Sequence, residues 1–166
     1  MSHILGAKSL AELQGVHPKL VECVKIAIAR TQQDFGVHDG LRTPEEQRKN
    51  VMAGVSKTMN SKHLRQPDGF SHAVDLVPYI NGQLRWEWPP IFVIASAMFA
   101  AAHEVRLGLV WGGVWDRRFP EDFGNGSPKS LRAMVDGYTE RQRKRLLDAG
   151  KKPRVFLDGP HFEIRS

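Results

Sequence analysis

The sequence predicts one α+β domain, a small and largely antiparallel sheet flanked by helices. Three observations lead there. Strand-like segments near 72–80, 107–113 and 154–165 are interleaved with longer segments of helical spacing, but without the regular alternation that builds a parallel sheet. An Asn81-Gly82 pair separates two strand-like runs, which is the signal for a hairpin. The chain has 166 residues, enough for one sizeable core, and shows no internal repeat or low-complexity tract. Residues 1–166 therefore read as a single domain.

Taken in order, "SLAELQGV" reads as a short helix beginning at a Ser cap. "HPKLVECVKIAIARTQQDF" places Leu20, Val24 and Ile28 on one helical face and reads as a longer helix ending at Gly36. "GVHDGLR" suits a short strand. "TPEEQRKNVMAG" is a strong helix start, because Thr43 can cap, Pro44 suits the first turn, and Glu45 and Glu46 favour the positive end of the dipole. Gly54 suits its stop. Residues 56–71 are polar and loop-like. A strand near 72–80 and a return strand in "QLRWEW" form the hairpin, with Trp86 and Trp88 packing it. Pro89 and Pro90 lead into an apolar helix from about 91 to 106, with His103 near its end as a structural or surface residue.

"LGLVWGG" reads as a strand running into a glycine turn. "DRRFPEDFGNGSP" is rich in turn formers and reads as a loop. Its residues 117–128 are the candidate lid. "KSLRAMVDGYTERQRKRLLDAG" reads as helix, with an interruption expected at Gly137. "RVFLDGPHFEIRS" reads as two short strands around Gly159-Pro160.

Hydrophobic residues make up 41% and charged residues 25%, the composition of an ordinary globular chain. The only cysteine, Cys23, excludes an internal disulfide and fits a reducing compartment. It lies in a helical run and reads as a small buried apolar residue. The first residues lack a basic segment followed by an apolar stretch, so no signal peptide is expected. The apolar run Ile91–Ala102 is too short to cross a bilayer. The expectation is a protein that is cytoplasmic when made.

Net charge is +6. Much of it sits in residues 139–154, where seven Lys and Arg face Glu140 and Asp148. Such a face suits anionic partners, and equally a solvated helix face. A nucleic-acid partner is disfavoured, because no nucleic-acid motif or aromatic–basic platform is present.

The chemistry concentrates in few residues. There are seven histidines: His3, His17, His38, His63, His72, His103 and His161. His63 stands in a polar loop, His161 follows a Gly-Pro turn, and Asp75 interrupts the apolar strand "SHAVDLVPYI". Two imidazoles and one carboxylate make a zinc set that leaves the fourth position for water. His72 is not the partner of Asp75 unless the strand is bulged, because residues three apart on a regular strand point to opposite faces. Asp158, three before His161, can stand beside a metal-bound water as a general base. Arg42 can hold an oxyanion or a substrate carboxylate. Spacing alone leaves open that these are polar residues scattered at strand ends.

The segments "SKH…GFSHAVDL", "LDGPHFEI", "GLRTPEEQ" and "VWGGVWD" together resemble the LAS zinc metallopeptidases. These include D-alanyl-D-alanine carboxypeptidases, vancomycin-resistance dipeptidases and the L-alanyl-D-glutamate peptidases of phage endolysins. The W-G-G-x-W segment is found especially in the phage peptidases. The resemblance runs from about Gly40 to Glu163. It implies one Zn2+ held by His63, Asp75 and His161 on a central antiparallel sheet. It also implies Asp158 as catalytic base and Arg42 as the residue stabilising the transition state.

Ser61, Trp111, Trp115 and Gln47 are the candidate substrate-binding residues. The two Trp suit a groove or a core, Ser61 a contact near the metal or a plain loop, and Gln47 a support for Arg42. The chain departs from the shorter form of the family in two places. Eleven residues separate His63 from Asp75, and residues 117–157, with the basic helix, form a long insertion.

The function the resemblance implies is a zinc-dependent endolysin. It would cut the L-Ala–D-Glu bond of the peptidoglycan stem peptide for host cell lysis, after the inner membrane is opened. The implied form is a monomer without an appended wall-binding domain, with the basic helix available to anionic envelope polymers. The alternatives are a D,D-carboxypeptidase or dipeptidase on the same scaffold, and a non-catalytic zinc-dependent wall-binding protein.

Overall fold

The computed structural model describes residues 2–166. The element order is α1 (Ala7–Glu12), α2 (Pro18–Arg30), β1 (Phe35–Asp39), α3 (Pro44–Met52), β2 (Ala73–Ile80), β3 (Gln83–Leu84), α4 (Trp88–Val105), β4 (Leu109–Trp111), β5 (Val114–Phe119), α5 (Pro128–Asp148) and β6 (His161–Ile164). The sheet order is β1-β2-β6-β4-β5, antiparallel throughout, with β3 added to β2. The α+β expectation holds.

Helices α2, α4 and α5 form a layer against one face of this sheet. Alternation on β2 sends Val74 and Leu76 into the core, and the intervening Asp75 to the opposite face. The core continues through α2 (Leu20, Val24, Ile28) and α4 (Ile91, Ile94, Met98), and around Trp111, Phe119, Phe123 and Phe162. Cys23 is fully buried, and burial, then the nearby Glu22, pushes its thiol up to about 12, so it stays protonated.

Helix α3 begins as its sequence dictates. The Thr43 hydroxyl accepts from the Glu46 amide at 3.2 Å, and the Glu46 carboxylate accepts from the Thr43 amide at 2.7 Å. Helix α4 is longer than its apolar run, because Pro89 and Pro90 lie inside its first turn. By length and composition alone it is long and apolar enough to cross a membrane, but here its apolar side packs on α2, α5 and β2.

Several boundaries differ from the sequence reading. Helix α1 has no Ser cap, since Ser9 lies inside it and its hydroxyl accepts from the Val37 amide at 3.0 Å. Helix α2 ends at Arg30, with Thr31 as its cap, and Gly36 lies within β1. The return strand after Asn81-Gly82 is only two residues long, and the exposed Arg85–Glu87 pair follows it. Trp86 is exposed beside His38, while Trp88 opens α4 and packs on Phe92. Helix α5 runs through Gly137 without a break, since Leu131, Val135 and Tyr138 hold its near face on the body.

Residues 114–119 form β5 rather than loop, and the candidate lid over 117–128 is packed down. Phe119 and Phe123 are fully buried, and Glu121 pairs with Arg165. Residues 151–158 have no regular structure, so only the second of the two strands expected around Gly159-Pro160 forms.

Candidate metal centre

Strand register assembles the centre. Asp75 lies directly opposite His161 in the β2–β6 pair, and directly opposite Asp39 in the β1–β2 pair. Three polar residues from three adjacent strands thus form one row. His63 enters from the loop before β2. Its Nδ1 lies 2.8 Å from the Gly40 carbonyl, and its own carbonyl accepts from the Arg42 amide at 2.8 Å. The contact of Nδ1 with the Gly40 carbonyl orients the ring so that Nε2 faces Asp75. Gly40 has to be glycine, because a Cβ there would stand 2.0 Å from the Glu12 carbonyl oxygen.

His63 Nε2 is 3.3 Å and His161 Nδ1 is 3.0 Å from the same Asp75 oxygen. Donor atoms of all three residues lie within 4.8 Å of one another. Two ligands on a tetrahedral zinc stand about 3.3 Å apart, so these separations suit such an ion. His63 Nε2 is buried and has no hydrogen-bond partner among the described residues, as expected of an atom reserved for a ligand. His161 Nε2 lies 2.8 Å from Glu163, the carboxylate that orients a ligating imidazole. The residues present therefore fit a metal ion of the zinc type.

The charges agree. Burial pushes the Asp75 carboxyl up, but His63 and His161 outweigh it and hold it well below the usual carboxylate range. Burial pulls the His161 imidazole down, but its hydrogen bonds to Asp75 and Glu163 outweigh that and raise it to about 10. The Asp158 carboxyl is raised, first by burial and then by the Asp75 charge. A carboxyl held up in this way is the type that takes and returns protons.

Arg42 is fixed from two sides. Its Nε donates to Asp39 at 2.9 Å, and Nη1 donates to the Gln47 side-chain oxygen at 2.6 Å. Nη2 also pairs with Asp39, and lies 4.0 Å from Asp75. Gln47 is fully buried, spends its amide on Ser56 and on the Thr58 carbonyl, and supports Arg42 with its side-chain oxygen. Ser61 lines the cleft, and its hydroxyl accepts from the His63 amide at 3.2 Å. Trp115 lines the cleft too, stacked on Phe156 (5.5 Å) and tilted against His161 (5.4 Å). His72 turns away to Asp68 at 2.7 Å.

Trp111 is a correction. It is fully buried in the aromatic core, and its indole donates to the Gly159 carbonyl at 2.7 Å. It anchors the turn that carries Asp158 and His161. Around it, Asp158 donates its amide to the Gly112 carbonyl at 2.8 Å, and Gly112 donates to the His161 carbonyl at 2.9 Å. A Cβ on Gly112 would stand 2.1 Å from the Asp158 carbonyl oxygen. The Trp-Gly-Gly segment is thus scaffold for the site. Sequence reasoning also missed Asp39 and Glu163. Their signals were positional: Asp39 three before Arg42 at a strand end, and Glu163 two after His161 on the same strand face.

A model of the phage L-alanyl-D-glutamate peptidase family matches residues 1–126. The chain belongs to that family. It is 28% identical over 121 residues to the L-alanyl-D-glutamate peptidase of Escherichia phage T5, covering 70% of this chain and 84% of the relative. The crystal structure of the Serratia marcescens L-Ala D-Glu endopeptidase ChiX is similar over 98% of this chain and 91% of that one, with 30% identity and a TM-score of 0.66. This family member is a peptidase, and its relatives support action on peptidoglycan. The family match ends before α5 and before the Asp158–His161 turn.

Gly112→Ala tests the scaffold role. The expected outcome is a folded protein whose zinc affinity drops at least tenfold, read by chelator competition, because the turn carrying His161 has to move.

Proposed function

We propose that the protein is a zinc-dependent endopeptidase that hydrolyses the L-Ala–D-Glu bond of the peptidoglycan stem peptide, acting as a phage endolysin in host cell lysis. The observation that carries this reading is the His63–Asp75–His161 cluster in one cleft with Asp158, in a chain of this peptidase family. A zinc ion held by His63, Asp75 and His161 would polarise the scissile carbonyl and acidify a water. Asp158 accepts the proton from the attacking water and returns it to the departing amine nitrogen. Arg42, already locked by Asp39 and Gln47, donates to the oxygen on which charge develops, without a reorganisation cost. Trp115 and Phe156 wall the cleft, which encloses about 600 Å3 and suits a short peptide.

The basic segment has its own proposed role, holding anionic envelope polymers near the substrate. Beyond Tyr138 no residue of α5 is buried. Arg141 pairs with Asp116 at 3.3 Å, whereas Arg143, Lys144 and Arg145 are exposed and have no carboxylate partner among the described residues. A helix end without a fully buried residue leaves these three cations free for a polyanion.

Digestion of purified peptidoglycan, read by mass spectrometry, tests the activity. New L-Ala-terminated and D-Glu-started fragments are expected. They should disappear on chelation, return with zinc, and fall roughly 100- to 10,000-fold in rate in Asp158→Asn. Released D-Ala would instead indicate a D,D-carboxypeptidase, and a folded, zinc-loaded protein with no product would indicate a binding protein.

For the basic helix, we expect the triple change Arg143→Glu, Lys144→Glu and Arg145→Glu to abolish co-sedimentation with envelope fragments at low salt. Hydrolysis of a soluble stem peptide should persist. Undiminished co-sedimentation would remove this role.

A further inference from the structure

The cleft has two walls beside the metal centre, and a single cation meets both. One wall is the loop 54–62 after α3, and the other is the segment around Phe156 that returns from α5. Lys57 sits on the first, with its ammonium 5.3 Å from the centre of the Phe156 ring on the second. Phe156 is in turn stacked on Trp115, and Trp115 lies against His161 with its ring tilted by 33°. The Lys57 ammonium is therefore joined to the metal centre through a continuous aromatic shelf.

The loop that carries Lys57 is held from beneath. The Gln47 amide donates to Ser56 Oγ at 2.9 Å and to the Thr58 carbonyl at 2.6 Å, which brackets residue 57 on both sides. The same side chain accepts from Arg42. One buried amide thus fixes both Arg42 and the backbone of Lys57.

Of the cations that line this cleft, Arg42 is committed to Asp39, and Lys62 donates to Ser166 at 2.9 Å. Lys57 is exposed and has no carboxylate partner among the described residues. A cation facing a peptide cleft, kept beside a ring face and left without an anion, is arranged to receive one.

We propose that Lys57 reads a free carboxylate of the substrate next to the scissile bond, and so sets which stem peptides are cut. This rests on the peptidase reading above. In the L-Ala–D-Glu linkage, the carbon attached to the departing amine bears the α-carboxylate of D-Glu, since the chain continues through its side-chain carboxyl. A second carboxylate lies on the diamino acid that follows. Both present the same chemistry to Lys57, and the α-carboxylate is the nearer to the bond that breaks. Amidation of that carboxylate removes the charge that Lys57 pairs with while leaving the scissile bond intact. Lys57 thereby separates free-acid from amidated stem peptides.

The test is kcat/KM on three soluble stem peptides: the free acid, the D-Glu α-carboxamide, and the diamino acid carboxamide. Each is measured with the wild type, Lys57→Gln and Lys57→Arg, all loaded with zinc. The wild type should prefer the free acid over the α-carboxamide by about fivefold, mostly through KM, and added salt should shrink this preference. In Lys57→Gln the ratio should collapse toward one, and in Lys57→Arg it should persist.

If the ratio depends on residue 57 only for the diamino acid carboxamide, the anion lies one residue further on and the assignment next to the scissile bond is overturned. A wild type with no preference for either acid, or a Lys57→Gln variant that keeps the full preference, overturns the proposal. A wild type that cleaves none of the peptides, although folded and zinc-loaded, fails the peptidase reading, and the proposal falls with it. Lys57 is exposed, so its variants should retain the wild-type melting temperature, and this is checked alongside.

Discussion

The structure depends on one cross-strand pair, Asp75 facing His161 in the β2–β6 ladder. A carboxylate that is 17% exposed, on a face its neighbours help to bury, costs several kcal/mol if left alone. That is a large part of the roughly 5–15 kcal/mol by which a domain is stable. Asp75 is therefore surrounded by compensating groups: His161 across the ladder, His63 from the loop, and Arg42 at 4.0 Å. Each of these is held by a partner of its own. Glu163 holds His161, the Gly40 carbonyl holds His63, and Asp39 with Gln47 holds Arg42. A tightly specified cluster of this kind contributes little to stability for the number of groups it orders. It makes physical sense as a preorganised cation site.

The rest of the fold supplies rigid support at the back of that cluster. The core aromatics around Trp111 meet the turn at Gly159, and Gly112 lets two backbone segments approach to bonding distance. Packing energy stored in the core thus fixes the positions of Asp158 and His161. The capping box on α3 sets the start of the helix that delivers Gln47. Helix α5 is tied to the body only along its first half, so its charged end contributes to the surface without straining the site.

The candidate trio His63, Asp75 and His161, with Asp158, stood out in the sequence because the chemistry conflicts with the local pattern, and the structure brings the trio together. A carboxylate in a run of Val and Leu, and a His after Gly-Pro, have few cheap explanations. The alternation on β2 also put His72 on the opposite face from Asp75, and it turns away to Asp68 in the structure. What was not legible depends on pairing. Asp39 and Glu163 look like ordinary strand-end acids until register places Asp39 opposite Asp75, and Glu163 on the face of His161.

Trp111 and Trp115 are four residues apart with identical local signals, and only the sheet separates a core ring from a cleft ring. Strand β5 was hidden by Asp116, Arg117 and Arg118, which are solvent-facing residues of an edge strand. Gly137 carried a breaker signal that the contacts of Leu131, Val135 and Tyr138 overrode, at a cost of about 1 kcal/mol.

The central claim is that Asp75 is buried to hold a cation. Thermal unfolding with and without zinc, compared between the wild type and Asp75→Asn, tests it most directly. The account predicts that the wild-type midpoint rises by about 5–10 °C when zinc is roughly 100 times its Kd. The folded variant, which keeps the shape and loses the charge, should show no such rise. An equal rise in both would mean that Asp75 is not a ligand, and would contradict the account.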